Sequence, residues 1–190
     1  MKKFETVDLS EIINHKLIYG NIPLTNEKEA GLDNIYILQE DNKFKPTEKI
    51  DGSEFHFHFG NSDNVLCEGQ TLKIGKRIDK LHIIGFSYWG DAHEYFRVKN
   101  EQGQEKRLQI SLADWSHPSD ADTFTKKFFK GEKITTVRIV KSSGSANHLI
   151  YFHHYICETG INEPIQELIL PDNMFMHIFA ITLEMEREDI

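Results

Sequence analysis

The sequence has few cysteines and no long apolar run, and both absences narrow what the protein can be. Its 190 residues include 2 cysteines, Cys67 and Cys157, far apart within strand-like segments. Free cysteine is among the most readily buried residue types, so two buried thiols are expected, and a disulfide between them is the alternative if the chain is exported. No stretch reaches the roughly 20 apolar residues of a membrane-spanning helix. Residues 1–5 lead into no apolar signal segment, which predicts a cytoplasmic protein with no membrane partner.

The sequence also lacks a basic patch. It carries 30 acidic and 22 basic residues, a formal charge of −8. A negative chain repels phosphate backbones unless a local cluster of Lys and Arg outweighs that charge. The densest basic segments, residues 73–80 and 126–133, are each interrupted by apolar or acidic residues. We therefore expect no nucleic-acid partner.

Recognisable catalytic motifs are absent as well. The sequence contains no Gly-x-Ser-x-Gly elbow, no phosphate-binding glycine loop and no His-Glu-x-x-His helix. Its carboxylates are too many and too scattered to identify a catalytic pair. No catalytic residue is predicted, and a non-enzymatic role is favoured, although catalytic residues on separate strands would leave no motif.

The sequence is rich in alternating strand patterns. The segment Phe55-His56-Phe57-His58-Phe59 alternates aromatic residues with histidine, which places the phenylalanines on one face of a strand and the histidines on the other. Similar short runs recur along the chain between Gly, Asn, Asp and Pro, with no long helical period. The pattern predicts one domain, residues 1–190, folded as an antiparallel β-sandwich of jelly-roll type with about eight to ten strands.

Several elements are specific enough to test. Residues 94–99 and 106–112 predict a hairpin closed by residues 100–103. Ser10 is expected to cap one helical turn over residues 10–14, residues 21–30 and 40–51 read as polar loops, and residues 124–129 fit neither period. The last strand, residues 174–183, is apolar on both faces. A covering loop is the favoured explanation, and a homodimer contact or a ligand groove are the alternatives.

A set of short strings resembles a known family when they are taken in order. They are Val7-Asp8-Leu9-Ser10 with Asn14, Asp63-Asn64-Val65, Gly69-Gln70-Thr71-Leu72, residues 81–86, Gly90-Asp91, Asp114-Trp115 and residues 178–183. Together they resemble the galactose-binding-domain-like jelly rolls attached to bacterial glycosidases. The resemblance implies two packed antiparallel sheets, a non-catalytic carbohydrate-binding role and, in some members, a structural calcium ion. It also implies that the Gly-Asp and Asp-Trp pairs are structural.

An aromatic cluster offers the chemistry that sugar recognition needs. Tyr88 and Trp89 can supply a flat face for the C–H side of a pyranose, while Asp91 and His93 can bond its hydroxyls. The competing interpretation is that Trp89 closes the sandwich and Asp91 makes a turn. Trp115 is a second candidate platform, for which packing in the core is the favoured interpretation.

The histidines support a rival hypothesis. His56 and His58 share a strand face at a spacing that suits one metal ion, and Asp63 is a candidate third ligand, as in a cupin-like metalloenzyme. Two solvated histidines are the simpler interpretation. His153 and His154 are predicted on opposite faces, with His154 in the core. His153 would then lie with Tyr151 and Tyr155 on an alternative binding surface.

These observations favour a non-catalytic module that binds a carbohydrate or sugar-like small molecule. Trp89, Tyr88, Asp91 and His93 are the first candidates for its site, and Trp115 is the second platform. The alternatives are the cupin-like enzyme and a structural or interaction module that dimerises through its last strand.

Overall fold

Antiparallel strands form nearly the whole structure, as the sequence pattern predicts. A computed structural model describes residues 2–20, 35–118, 133–144 and 148–186, and these residues contain no helix. The strands are β1 (Lys2–Thr6), β2 (Ile18–Tyr19), β3 (Ile35–Leu38), β4 (Thr47–Ile50), β5 (Ser53–His56), β6 (Val65–Glu68), β7 (Thr71–Lys76), β8 (Lys80–Ser87), β9 (Ala92–Lys99), β10 (Glu105–Leu112), β11 (Lys133–Lys141), β12 (Ser143–Gly144), β13 (Leu149–Glu158), β14 (Ile165–Ile169) and β15 (Asp172–Glu186). The all-β prediction is confirmed, with more strand segments than the expected eight to ten. The jelly-roll order of connections stays a prediction.

A six-stranded sheet forms the centre of the fold. Its order is β1-β15-β8-β13-β11, and β6 also pairs with β15. Strand β15 bulges between Ile178 and Ala180 where it pairs with β8. Gly85 of β8 lies at this point, and a Cβ there would come within 2.4 Å of the His177 carbonyl oxygen. Glycine is required because the backbones approach more closely than any side chain permits.

A four-stranded sheet packs against one face of the first. Its order is β10-β9-β14-β7. The β9–β10 hairpin confirms the predicted pairing, and Gly103 in its loop has a φ of 75°. Leu108, Ile110 and Leu112 are buried as predicted, whereas Ser111, expected to face solvent, is buried too. Its hydroxyl lies 3.0 Å from Nδ1 of His93 on the neighbouring strand.

The inner core fills the space between these two sheets. Most of its side chains are aliphatic, among them Leu81, Ile83, Val98, Ile110, Ile178, Ile181 and Leu183. Cys67 and Cys157 both belong to this core, and both are free. Burial raises the pKa of the Cys67 thiol. The predicted buried thiols are confirmed, and the disulfide alternative is wrong for this structure.

An outer layer covers the other face of the six-stranded sheet. It consists of the β4–β5 hairpin and the small sheet β12-β3-β2, in which β2 and β3 run parallel. The buried residues of this layer mix aliphatic with aromatic side chains, and the phenylalanines are Phe44, Phe55 and Phe57 from the cover, with Phe86, Phe152 and Phe179 from the sheet. The strand that is apolar on both faces is therefore covered within the chain. Met174 and Phe175 are its large apolar side chains that remain exposed.

Several sequence predictions need correction. Strand β5 ends at His56, although the alternation persists, since Phe57 is buried and His56 is exposed. The polar segment 40–51 contains strand β4. The predicted single turn after Leu9 forms, since the N–H groups of Ile12 and Ile13 donate to the Leu9 carbonyl at 2.9 and 3.0 Å, but it does not extend into a helix. Asp8 rather than Ser10 supports it by accepting the Ser10 N–H at 2.9 Å. The predictions for residues 21–30 and 124–129 lie outside the described residues.

The surface suggested for His153 and Tyr155 does not exist. Both residues are fully buried, because their face of β13 points into the sandwich. His154 is buried on the opposite face with Phe152, as predicted. Alternation along the strand is correct here, and only the exposure of the first face is wrong.

Candidate functional site

Trp89 stands on the turn that carries the chain from one sheet to the other. Strand β8 of the six-stranded sheet ends at Ser87, and β9 of the four-stranded sheet begins at Ala92. Gly90 has a φ of 84°, in the left-handed region that glycine adopts without strain. The turn leaves Trp89 72% exposed, the highest value among the large hydrophobic side chains described. It is an open aromatic platform at one end of the sandwich.

Trp115 lies beneath this turn. It is only 8% exposed, and its indole N–H donates to the carbonyl of Tyr88 at 3.0 Å. The rings of Tyr88 and Trp115 stack with centroids 6.0 Å apart. Trp115 therefore supports Tyr88 and presents no open face of its own.

Two aspartates tie the turn to the segment that follows β10. The Asp114 carboxylate accepts the Gly90 N–H at 2.6 Å and the Ser116 N–H at 2.8 Å. Asp91 accepts the Asp114 N–H at 2.9 Å. Each carboxylate replaces the hydrogen-bond partners that these backbone groups lose on leaving a strand. The reciprocal bonding fixes the position of Tyr88 and Trp89.

The same segment bridges the two central strands of the large sheet. Trp115 N–H donates to the Ser87 carbonyl at 2.9 Å, and the Trp115 carbonyl accepts the Tyr151 N–H at 2.8 Å. His153 lies below, with Nε2 at 3.1 Å from the Asp114 carbonyl oxygen. Burial lowers the pKa of His153 to about 4, and the bond to Asp114 opposes this shift only in part. His153 is therefore a neutral donor at this position.

The structure unites some of the predicted site residues and separates others. Tyr88, Trp89 and Asp91 share the rim, with Trp115 beneath them. His93 points away from the sandwich on the outer side of the four-stranded sheet, where it meets Ser111. His93 is thus placed on a different surface from the Trp89 platform.

Sequence reasoning missed Phe175 as a member of this rim. Its ring lies 6.4 Å from that of Trp89, and its carbonyl accepts the Tyr88 N–H at 2.8 Å. Phe175 is 40% exposed, and the adjacent Met174 is 61% exposed. The only available signal was that the last strand is apolar on both faces. His117 also reaches the rim, with Nε2 at 3.9 Å from Asp91 Oδ1.

Comparison with known families decides the classification. A family profile described as the AziU2-like beta-sandwich domain matches residues 42–187, more than half of the chain. The chain belongs to this family. No curated protein matches it. The segment that matches the AziU2-like beta-sandwich family includes all of the rim residues.

Two hollows formed by the described residues of this AziU2-like domain lie away from Trp89. The larger, about 570 Å³, lies between β1 and β7, with Glu5, Asp8, Ser10, Lys73 and Lys76 in its wall. The second, about 340 Å³, adjoins Ser10, His58 and residues 59–62. The platform at Trp89 is therefore an open surface that could take one face of a ligand, not a pocket that encloses one.

The histidine pair proposed as a metal site lacks its third ligand. His56 and His58 are neighbours with ring centroids 4.9 Å apart, and His58 Nε2 lies 3.4 Å from Asp8 Oδ1. Asp63 instead accepts the N–H groups of Leu17 and Ile18, the latter at 2.8 Å. Within the described ranges, no three His, Cys, Asp or Glu side chains are grouped so that they could hold a metal ion.

The calcium ion that the carbohydrate-module resemblance implies meets the same test. Asp91 and Asp114, the carboxylates of the rim, accept backbone N–H groups, as a carboxylate does when it replaces lost strand pairing. The rim carboxylates are thus engaged in holding the turn, and a structural calcium ion, for which the resemblance names no residues, stays a prediction. The part of the chain that the structure describes also contains no helix long and apolar enough to cross a membrane.

Proposed function

We propose that this protein is a non-catalytic module that binds a carbohydrate or sugar-like small molecule on the Trp89 platform. The observation that carries the proposal is the 72% exposure of Trp89 on a turn that Asp91 and Asp114 hold rigidly. An exposed indole costs solvation free energy, and large apolar groups at fixed positions on a surface mark binding sites. Rigid support lowers the entropy lost when a ligand binds.

Polar groups at the same rim complete the chemistry. Asp91 uses one carboxylate oxygen on the Asp114 N–H, and His117 is adjacent to it. Carboxylate and imidazole groups beside an aromatic face suit a ligand with one apolar side and several hydroxyls. The resemblance to galactose-binding-like carbohydrate modules supports the same ligand class, although the shared sandwich fold alone does not determine function.

The test uses the favourable position of the two tryptophans. Trp115 is buried and Trp89 is exposed, so a ligand stacking on the rim should change the emission of Trp89 alone. A saccharide array identifies the ligand, and its titration against the native chain and Trp89→Ala measures the affinity. We expect a loss of affinity of about five- to thirtyfold, since stacking on an aromatic face contributes on the order of 1–2 kcal/mol.

Tyr95→Ala is the matched control. Tyr95 is also an exposed aromatic residue, but it lies on β9 beside Arg107, on the outer side of the four-stranded sheet. Its removal should leave the affinity unchanged. Binding that is unaffected by Trp89→Ala, or equally weakened by Tyr95→Ala, would reject the platform.

A second candidate function is contact with another copy of the chain. Trp89, Phe175 and Met174 form adjoining exposed apolar surface at one end of the sandwich. If this surface serves a homodimer, sedimentation should show association that rises with protein concentration. Trp89→Ala should abolish that association, and saccharides should have no effect on the fluorescence.

A further inference from the structure

Two buried histidines touch on the outer face of the six-stranded sheet. His82 is on β8 and His154 on the adjacent β13, and both are inaccessible to solvent. Their rings stack at 28° with centroids 5.3 Å apart. Nδ1 of His82 lies 3.1 Å from Nε2 of His154. Two ring nitrogens hold this distance only when a hydrogen atom lies between them.

A carboxylate stands at each end of this pair. Nε2 of His82 lies 2.9 Å from Oε2 of Glu184 on β15. Nδ1 of His154 lies 3.0 Å from Oδ2 of Asp51 in the β4–β5 turn. The row of contacts therefore runs from Asp51 through His154 and His82 to Glu184, and Lys2 of β1 then meets Glu184 at 2.7 Å.

Counting hydrogens along the row gives the charge of the pair. Its three contacts each need one hydrogen on a ring nitrogen, because an ionised carboxylate accepts only. Two neutral imidazoles carry one N–H each, which leaves one contact without a hydrogen. A third N–H gives the pair one positive charge. With Asp51 and Glu184 negative and Lys2 positive, the charges of the row then sum to zero, although only the two rings and Glu184 are buried and Asp51 and Lys2 reach solvent.

We propose that His82 and His154 share one added proton near neutral pH, and that this proton latches the β4–β5 hairpin onto the sheet. Burial lowers the pKa of His82, and the bond to Glu184 opposes that shift. In the arrangement we propose, His154 carries both ring protons and donates to Asp51 and to His82, while His82 donates from Nε2 to Glu184. The Ser53 hydroxyl lies 3.2 Å from Nδ1 of His82, so it donates to the same nitrogen that accepts the N–H of His154.

The contact of Asp51 with His154 anchors the turn of the hairpin, while Thr182 bonds the Glu54 carbonyl of β5 and Arg138 pairs with Glu48 of β4. Asp51 and Gly52 form a two-residue turn with φ values of 49° and 89°, which suits an Asp-Gly hairpin. Phe55 packs edge-on against the His154 ring at 5.3 Å, and Phe4 of β1 does the same to His82 at 5.7 Å. Phe55 also belongs to the aromatic cluster over the sheet, so opening the hairpin would expose that cluster.

Either a lost or a gained proton breaks the row. Without the third proton, a bare nitrogen of His154 faces the Asp51 carboxylate and repels it. With a fourth, two N–H groups face each other between the rings. The surrounding charges are mostly paired: Lys80 of β8 with Glu158 of β13, and Arg138 of β11 with Glu48 of β4, while Glu54 and His56 of β5 point to solvent. The latch therefore closes only between the pH at which the pair gains a fourth proton and the higher pH at which it loses the third.

Nuclear magnetic resonance of the histidine rings tests the proton count on the full-length chain. Long-range ¹H–¹⁵N correlation distinguishes a protonated from a bare ring nitrogen, and His82→Gln and His154→Gln assign the signals. At pH 7 we expect His154 protonated on both nitrogens and His82 on Nε2 alone. Two neutral rings, or two doubly protonated rings, at pH 7 would overturn the proposal.

Asp51→Asn tests the latch without disturbing the histidines. An Asn-Gly pair suits the same turn, so the variant should fold. We expect the pair to lose its added proton at a pH lower by about 1 unit or more, since a neighbouring carboxylate favours the charged ring by this order. Amide exchange protection of the hairpin at pH 7 should fall about tenfold, because a charge-assisted hydrogen bond is removed.

Glu54→Gln is the matched control. Glu54 lies on β5 of the same hairpin, and its side chain points to solvent. The change removes one carboxylate without touching either histidine, so both the ring titration and the exchange should match the native chain. If Asp51→Asn also leaves both unchanged, or if Glu54→Gln shifts both equally, the latch does not exist.

Discussion

The two faces of the six-stranded sheet are covered in different ways. The inner face packs against a second sheet, and its side chains, such as Ile83, Ile178 and Leu183, are mainly aliphatic. The outer face is covered by a short hairpin and a small sheet, and its cluster is much richer in aromatic side chains, such as Phe86, Phe152 and Phe179, which lie among aliphatic ones. Large rings fill the irregular space under a short cover, whereas branched aliphatic residues suit two facing sheets.

The polar content of the two faces differs as well. The outer face buries His82, His154, Thr182 and Glu184, each with a hydrogen-bond partner. A cover held by side chains has fewer cooperative backbone bonds than a paired sheet. We therefore expect the outer layer to open before the inner core does.

The largest expected effect concerns acid and the two buried neutral histidines, one on each face. Burial lowers the pKa of His177 on the outer face to about 3 and that of His153 on the inner face to about 4. In the unfolded chain each imidazole has the ordinary pKa of 6.5 and binds a proton below that pH. In the folded chain it stays neutral, so the free energy of unfolding decreases as the pH falls below about 6.5. The full loss is roughly 5 kcal/mol for His177 and roughly 3 kcal/mol for His153.

Urea denaturation at pH 7, 5.5, 4 and 3 measures this contrast in the native chain, His177→Gln and His153→Gln. The free energy of unfolding should depend less on pH below 6.5 in His177→Gln than in His153→Gln. Asp63 acts in the opposite sense, because burial raises its pKa to about 6, so its ionisation costs stability as pH rises from about 4 to 6. If the free energy of unfolding changes equally with pH in all three chains, neither imidazole is buried as the structure describes.

A truncation on each face comes next. Phe152 contacts Phe44, Phe86 and Phe179 on the outer face, and Phe96 of β9 is equally buried in the inner core, where it faces the six-stranded sheet from the four-stranded one. Phe152→Ala and Phe96→Ala should each cost about 3–5 kcal/mol. Amide exchange of the β4–β5 hairpin should accelerate further in Phe152→Ala, because Phe152 packs against the cover. If both variants loosen the hairpin equally, the two faces do not differ in local stability.

Period-two reasoning from the sequence succeeded where burial depends on one strand alone. It correctly predicted the faces of residues 55–59, the β9–β10 hairpin and the burial of His154. It missed β4, although Asp51-Gly52 between two short runs is a strong signal of a hairpin. The error came from treating a polar segment as a loop.

Sequence reasoning failed where the answer depends on which strands pair. His82 and His154 are 72 residues apart, and only the pairing of β8 with β13 brings them together. Phe175 meets Trp89 for a similar reason, through the pairing of β15 with β8. Alternation gives the face of a side chain but not the neighbouring strand, so the rim was predicted in part and the histidine row was not predicted.

A substitution at Gly85, in the backbone of the six-stranded sheet between its two faces, should reduce stability by less than the truncations above. Gly85→Ala places a Cβ against the His177 carbonyl oxygen at a distance that requires β8 and β15 to separate. We expect a loss of about 2–3 kcal/mol in the free energy of unfolding, as for overpacked cores. Gly60→Ala is the control, because the nearest atom would lie 3.9 Å from its Cβ. Comparable losses in the two variants would mean that the close approach at the bulge is not there.

The smallest effects are expected at the rim, where the two tryptophans extend the comparison. Trp115→Phe keeps a ring beneath Tyr88 but leaves the Tyr88 carbonyl without its indole donor, at a cost of about 1 kcal/mol. Trp89→Phe changes an exposed side chain and should alter stability by no more than about 0.5 kcal/mol. Thermal denaturation of the two variants, compared with the native chain, gives both values. A large apolar side chain that is exposed and contributes little to folding is the property that a binding platform requires. If Trp89→Phe destabilises the protein as much as Trp115→Phe, then Trp89 is part of the packing, and the binding platform loses its physical basis.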